Sequence, residues 1–214
     1  PATPRRGAVR ASHWSGKLGV ARSLGGGWSL RASAGRYVRI PSLVELFGDR
    51  GLVVGNPGLV PESGDKVELG AESAPVAGRR GRSWQLSLVA FGSWTDDLIL
   101  FVPTGLGTVK AQNVAASRIL GLEAQASWRV TPALRVEASG TWQRPRDVSG
   151  GFAHDRQLVG VPERMGYLGV RWRPGRWRID YDLTYVGENG SDRLDTEWLR
   201  LPARVMHDVS VGRE

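Results

Sequence analysis

Apolar and polar residues alternate with a period of two along most of the chain, in stretches separated by glycine- and proline-bearing turns. The clearest stretch runs from Trp84 to Trp94. Its even positions read Trp84, Leu86, Leu88, Ala90, Gly92 and Trp94, and its odd positions read Gln85, Ser87, Val89, Phe91 and Ser93. Successive side chains of a strand point to opposite faces, so this pattern predicts one apolar face ending in tryptophan at both edges. The scheme recurs at 120–128, 134–143 and 177–185, where Trp128 and Trp142 again sit at the ends of apolar faces. Nine strands are expected, over about 13–24, 28–40, 64–76, 83–102, 113–130, 134–143, 164–173, 176–186 and 201–212. No amphipathic helix is expected.

The connections alternate as well. Short turns are predicted at 25–27, around 77–82, at 131–133 and at 174–175, and long ones at about 41–63, 103–112, 144–163 and 187–201. The polar faces carry many charges, among them Arg31, Arg39, Arg135, Glu137, Arg171, Arg178, Asp180 and Asp182, which belong against water. The apolar faces must then meet something else. A water-soluble sheet would turn them inward. Repeated Ala and Gly on the apolar face, with Trp at the strand ends, favours lipid instead. Ten residues at a rise of ~3.3 Å and a tilt of ~45° span roughly 23 Å, close to the ~25 Å apolar band of an outer-membrane barrel. Trp84, Trp94, Trp128 and Trp142 are therefore expected at the membrane interfaces.

Composition agrees with a β protein. The 214 residues include 29 Gly and 9 Trp, and no apolar run approaches the ~20 residues of a membrane helix. The formal charge of +8 could suggest nucleic acid, but the basic residues are scattered, with no run longer than Arg79 and Arg80. No nucleic-acid partner is expected. With no cysteine there is no disulfide framework and no thiolate chemistry.

Residues 36–70 organise the chain. A strand runs into Pro41, a loop turns at Asn56 and Pro57, and after Pro61 and Glu62 a second strand leaves through Val67 and Leu69. Proline supplies no backbone donor, so Pro41, Pro57 and Pro61 end sheet pairing and stiffen the loop. The order R-x-P-S-x-x-E-L-F-G-D from Arg39, then G-N-P-x-L-x-P-E from Gly55, then E-L-G from Glu68 resembles the barrel of TonB-dependent outer-membrane receptors. Arg39, Pro41, Ser42, Glu45, Leu46, Asn56, Pro57, Leu59, Pro61 and Glu62 carry that motif. Residues 95–99, Asn113 and Gly121–Glu123 resemble the family's next strand–loop–strand unit, and 130–134 its periplasmic turn.

The resemblance implies an all-β antiparallel meander of about nine strands within a 22-stranded transmembrane barrel. Residues 1–214 are then read as a partial barrel domain towards the receptor's C-terminal side. The plug domain, the TonB box and the terminal strands lie outside it, and the last strand lacks the family's aromatic tip. The implied function is TonB-energised uptake, across the bacterial outer membrane, of a scarce bulky nutrient such as a ferric siderophore or cobalamin. The implied partners are outer-membrane lipid, the receptor's own plug and the TonB complex. A passive porin-like or adhesion barrel is the alternative, and a soluble β-sheet binding module a distant third.

Enzymatic chemistry is not indicated. His13, His154 and His207 sit on different features, and no H-E-x-x-H, G-x-S-x-G or phosphate-binding glycine loop occurs. Asp147, His154 and Asp155 share one loop, and Asp192, Asp195 and Glu197 another. Either set could hold a cation, but solvated loops are the better expectation, and no cofactor or metal is assigned. Asn56 and Glu62 are expected to shape their loop rather than touch a substrate. The inward-facing charges are expected to pair across strands or to contact a plug.

Overall fold

The computed structural model describes residues 12–49, 51–78, 81–104, 107–113, 116–193 and 195–213. In chain order its elements are β1 (Gly16–Leu24), β2 (Trp28–Arg39), α1 (Leu43–Phe47), β3 (Val53–Val54), β4 (Glu62–Ser73), β5 (Val76–Ala77), β6 (Ser83–Asp96), β7 (Ile99–Pro103), β8 (Val109–Asn113), β9 (Ser117–Thr131), β10 (Leu134–Asp147), β11 (Arg164–Trp172), β12 (Trp177–Val186) and β13 (Arg204–Arg213). The long strands pair antiparallel in the order β1-β2-β4-β6-β9-β10-β11-β12-β13, with the short β5 beside β6. This is the expected meander. Tight turns close one edge, at Gly25–Gly27, at 74–82, at 132–133 and at 173–176, while every long connection emerges at the other. Arg79 and Arg80, within the turn expected at 77–82, lie outside the described residues.

Three expected boundaries change. The stretch expected as one strand over 83–102 divides at Asp97, whose φ of 55° turns the chain out of the sheet. Its second half, β7, joins β8 and β3 in a separate three-stranded sheet within the long connections. Asn113, expected to open the following long strand, belongs to β8. Strand β10 continues past its expected end at 143 to Asp147. Pro145 is tolerated there because the β11 partner stops at Trp142, leaving β9 as the paired strand and the Pro145 carbonyl free to accept from the Leu158 amide. The expectation of no helix also gives way to the five-residue α1.

The core is not in the sheet. Among the described residues the buried hydrophobic side chains are Leu59, Ile99, Ala111, Ala153 and Leu158, all in the long connections. The strands instead expose apolar side chains along one face: Leu18 at 74%, Leu69 at 59%, Leu88 at 49% and Val209 at 68%. A water-soluble protein rarely leaves so extended an apolar belt uncovered. The opposite face is polar. A single cavity of about 640 Å3 is lined there by Arg31 of β2, Glu72 of β4, Gln85 of β6, Gln125 of β9, Ser139 of β10 and Tyr167 of β11, so the sheet curves around its polar side. On that inner face Gly64 lets the Tyr37 ring lie across the strand, since a Cβ would stand 2.7 Å from the ring and 2.6 Å from the Trp94 carbonyl oxygen.

Candidate functional site

The long-connection edge is built around one arginine. Arg39, at the end of β2, donates through Nη1 to both carboxylate oxygens of Glu45, at 3.1 Å each, and through Nη2 to Glu62 Oε2 at 3.0 Å. Glu45 and Glu62 are each only 6% exposed. Burying two carboxylates is tolerable because one guanidinium is shared between them and each also accepts a backbone amide. Glu62 Oε2 also accepts the Ile99 amide at 3.2 Å, which fixes the start of β7.

Glu45 has a second task. The Ser42 amide donates to its Oε2 at 2.7 Å, and Ser42 Oγ accepts the Glu45 amide at 3.3 Å. This reciprocal capping box starts α1 immediately after Pro41. Burial alone would push the Glu45 carboxyl up, but the Ser42 amide and the Arg39 guanidinium outweigh it and hold it below the usual carboxylate range. The Glu62 carboxylate beside Arg39 leads the interactions that keep its guanidinium firmly protonated.

The loop folds back on this anchor through Asn56. Its amide donates to the Glu45 carbonyl at 2.8 Å, its Nδ2 to the Ala111 carbonyl at 2.9 Å, and its Oδ1 accepts the Gly58 amide at 3.2 Å. Gly55 permits that return: a Cβ there would lie 2.4 Å from the Phe47 carbonyl carbon. Leu59, Ile99 and Ala111 then form a small apolar cluster with Leu46 against it. Asn113 closes the assembly, donating to the carbonyls of Val60 and Asp97 and accepting the Val60 amide.

Seven of the ten motif residues thus meet in one hub: Arg39, Ser42, Glu45, Leu46, Asn56, Leu59 and Glu62. Pro41, Pro57 and Pro61 stand at its entrances and turns, outside regular pairing. The side chains satisfy the loop's own backbone and charges. Sequence reasoning missed Ile99 and Ala111 as its apolar partners, because the contacts that unite them with Leu59 are remote in sequence. It also missed α1, although Ser42 and Glu45 are spaced as a capping box.

Charges on the inner face pair with one another. Arg31 meets Glu72, Arg135 meets Glu137 at 2.8 Å, and Arg171 meets Asp182 at 2.6 Å. Asp180 takes Arg173 at 2.7 Å. The two acidic loops are likewise occupied internally. Asp147 accepts from Arg193 at 2.7 Å and from Ser149, while burial, which alone would raise its carboxyl, is overcome so that the group stays below the usual range. Asp192 accepts from Thr196 and Asp195 pairs with Arg200. Among the described residues no cluster of carboxylates and histidines is arranged to hold a metal ion.

The four tryptophans singled out by the alternation are 41–53% exposed and lie on the apolar face. Trp84 and Trp128 stand opposite each other near the tight-turn edge, whereas Trp94 and Trp142 lie towards the long-connection edge.

A family model described as TonB dependent receptor-like, beta-barrel matches residues 2–213. No curated protein matches the chain. Among solved structures it is similar to the copper transporter OprC, with 19% identity, coverage of 92% of this chain and 31% of that one, and a TM-score of 0.70. It is similar to the ferric yersiniabactin uptake receptor FyuA from Yersinia pestis, at 18% identity, 92% and 29% coverage and a TM-score of 0.69. It is also similar to the unliganded ferric citrate transporter FecA, at 19% identity, 92% and 30% coverage and a TM-score of 0.67. The chain therefore spans 29–31% of the length of these structures, and the likeness is one of fold. With a polar inner wall, an apolar outer belt and a family match along nearly its whole length, the chain belongs to the TonB-dependent receptor family, as part of the β-barrel that such receptors place in the bacterial outer membrane.

Proposed function

We propose that these residues form one wall of a plugged, 22-stranded receptor that uses TonB-supplied energy to take up a scarce, bulky metal complex, such as a ferric siderophore. The observation that carries this reading is the inner wall, dense in hydrogen-bonding side chains and curved around a cavity six strands wide. Such a surface is suited to a folded polar occupant, the plug. β1 and β13 each have a single paired neighbour among the described residues. In lipid an unpaired strand edge costs several kcal/mol per group, so further strands of the same receptor complete the barrel.

In this reading the long connections face outward and the Arg39 hub holds the first of them in shape. Trp84 and Trp128 mark the periplasmic interface of the membrane, and Trp94 and Trp142 the outer one. The titles of the similar structures name copper, ferric yersiniabactin and ferric citrate, so a metal or metal chelate is the cargo class to test first.

The test is growth and radiolabelled-metal uptake in a strain whose only receptor of this class is the complete protein. Uptake of one chelate that disappears when TonB is removed is the expected result. Energy-independent passage of many small solutes would contradict it and return the porin reading.

A further inference from the structure

An ionisable side chain stands within the apolar belt at the last seam of the sheet. The outward face of β13 reads Val205, His207, Val209 and Val211 and ends at Arg213, opposite Trp177. The facing positions of β12 are Tyr185, Leu183, Tyr181, Ile179 and Trp177. His207 is six residues from Arg213. At a rise of ~3.3 Å and a tilt of ~45° it lies roughly 14 Å up the ~25 Å apolar band, near its middle. Val205 and Val209 on either side of it are 51% and 68% exposed.

Hydrocarbon does not hydrate an imidazole, and ionisable groups at such depth are rare and turned towards a partner. His207 has half of one. Its Nδ1 is 2.8 Å from the Tyr181 hydroxyl, with the ring centroids 6.0 Å apart. That contact uses one donor and one acceptor. With the hydroxyl donating to Nδ1, the imidazole keeps its Nε2 N–H as a donor and the phenol oxygen keeps room to accept. The other tautomer exchanges these roles and leaves the same count. Neither side chain makes a further hydrogen bond among the described residues.

Acyl chains offer neither donors nor acceptors, so lipid leaves both positions empty at a cost. A partner that fills them must present one acceptor and one donor at this same depth. A second copy of the receptor does so by symmetry. Two copies in one membrane are related by a two-fold axis along its normal, which sets each His207 against the other copy's Tyr181. We propose that the outward face of the β12–β13 seam is a self-association surface, on which the Tyr181–His207 pairs of two receptor copies exchange hydrogen bonds inside the membrane. Leu183, Val205 and Val209 pack around them. The inference rests on the complete barrel given under Proposed function.

The test uses the complete receptor in bilayers, labelled with donor or acceptor fluorophores through a single Gly51→Cys, at a series of protein-to-lipid ratios. Energy transfer between wild-type copies should exceed random collision and saturate as the ratio rises. His207→Leu and Tyr181→Phe each remove both reciprocal bonds, so each should raise the half-maximal ratio about tenfold. Leu88→Val, on the same face of β6, should associate like wild type. Heat-modifiable migration on gels reports whether each barrel is folded, and metal-chelate uptake by the same variants reports separately on the receptor reading. Transfer no greater than random collision overturns the proposal while leaving that reading intact. So does association that both folded variants share unchanged, which would assign the pair to its own barrel. Should neither variant fold, Val209→Cys should join two copies by a disulfide on oxidation where Leu86→Cys does not, and equal yields overturn the proposal.

Discussion

At the scale of single residues, Arg39 decides the behaviour of the first long connection. Removing it leaves Glu45 and Glu62, both buried, without their shared cation. Arg39→Ala should cost about 2 kcal/mol locally and free residues 43–60, so limited proteolysis of the folded receptor should cut within that segment. Protection equal to wild type would show that the capping box and the Leu59 cluster suffice. Acid should act on the same contact. The Glu45 carboxyl is held low, so its contribution is fully present above the ordinary carboxylate value of about 4.3 and is lost as pH falls through its lower folded value. Hydrogen exchange of the Asn56 amide should therefore stay slow, after correction for intrinsic rates, at about pH 5 and accelerate only once the pH has fallen below the ordinary carboxylate value. Acceleration already complete at pH 5 would contradict the lowered value.

At the scale of elements, period-two alternation is a local signal, and it placed all the long strands because each has one apolar and one polar face. The connection sheet carried no such signal. Its parallel pairing of Val53 with Val109 and of Val54 with Lys110 joins residues far apart in sequence, and β7 looked like a continuation of β6 because only the turn at Asp97 separates them. The hub was half legible. The motif marked Arg39, Glu45, Asn56 and Glu62, but their partners Ile99, Ala111 and Asn113 come from a different connection. Strand contacts offer a test of their own. A Cβ at Gly64 would stand 2.6 Å from the Trp94 carbonyl oxygen, backbone that cannot step aside, so Gly64→Ala should destabilise the β4–β6 seam by about 1–3 kcal/mol in denaturant titrations. An unchanged midpoint would mean that the two strands are less closely apposed. Orientation is tested by single cysteines at Gly51 and Ala133 of the complete receptor, treated on intact cells with an impermeant thiol reagent. Labelling at 51 and not at 133 is expected, and the reverse would invert the topology.

At the scale of the whole molecule, the sheet has little apolar core of its own, and its outward belt is stable only where hydrocarbon replaces water. The two faces of every strand then have fixed destinations, lipid for one and the polar interior for the other. Single-residue shifts of register would exchange them. The outward positions of β6 and β9 are accordingly apolar or small between Trp84 and Trp94 and between Leu120 and Trp128, although Val89, Phe91 and Ile119 also place apolar side chains on the inner face. The most direct measurement is a nitroxide scan of positions 85–93 on β6, one label at a time, in the complete receptor reconstituted in bilayers. Collision with oxygen, which concentrates in lipid, is compared with collision with a water-soluble nickel chelate. The account predicts high oxygen collision at positions 86, 88, 90 and 92 and low values at 85, 87, 89, 91 and 93. Equal values at every position, or oxygen maxima at the odd positions, would contradict it.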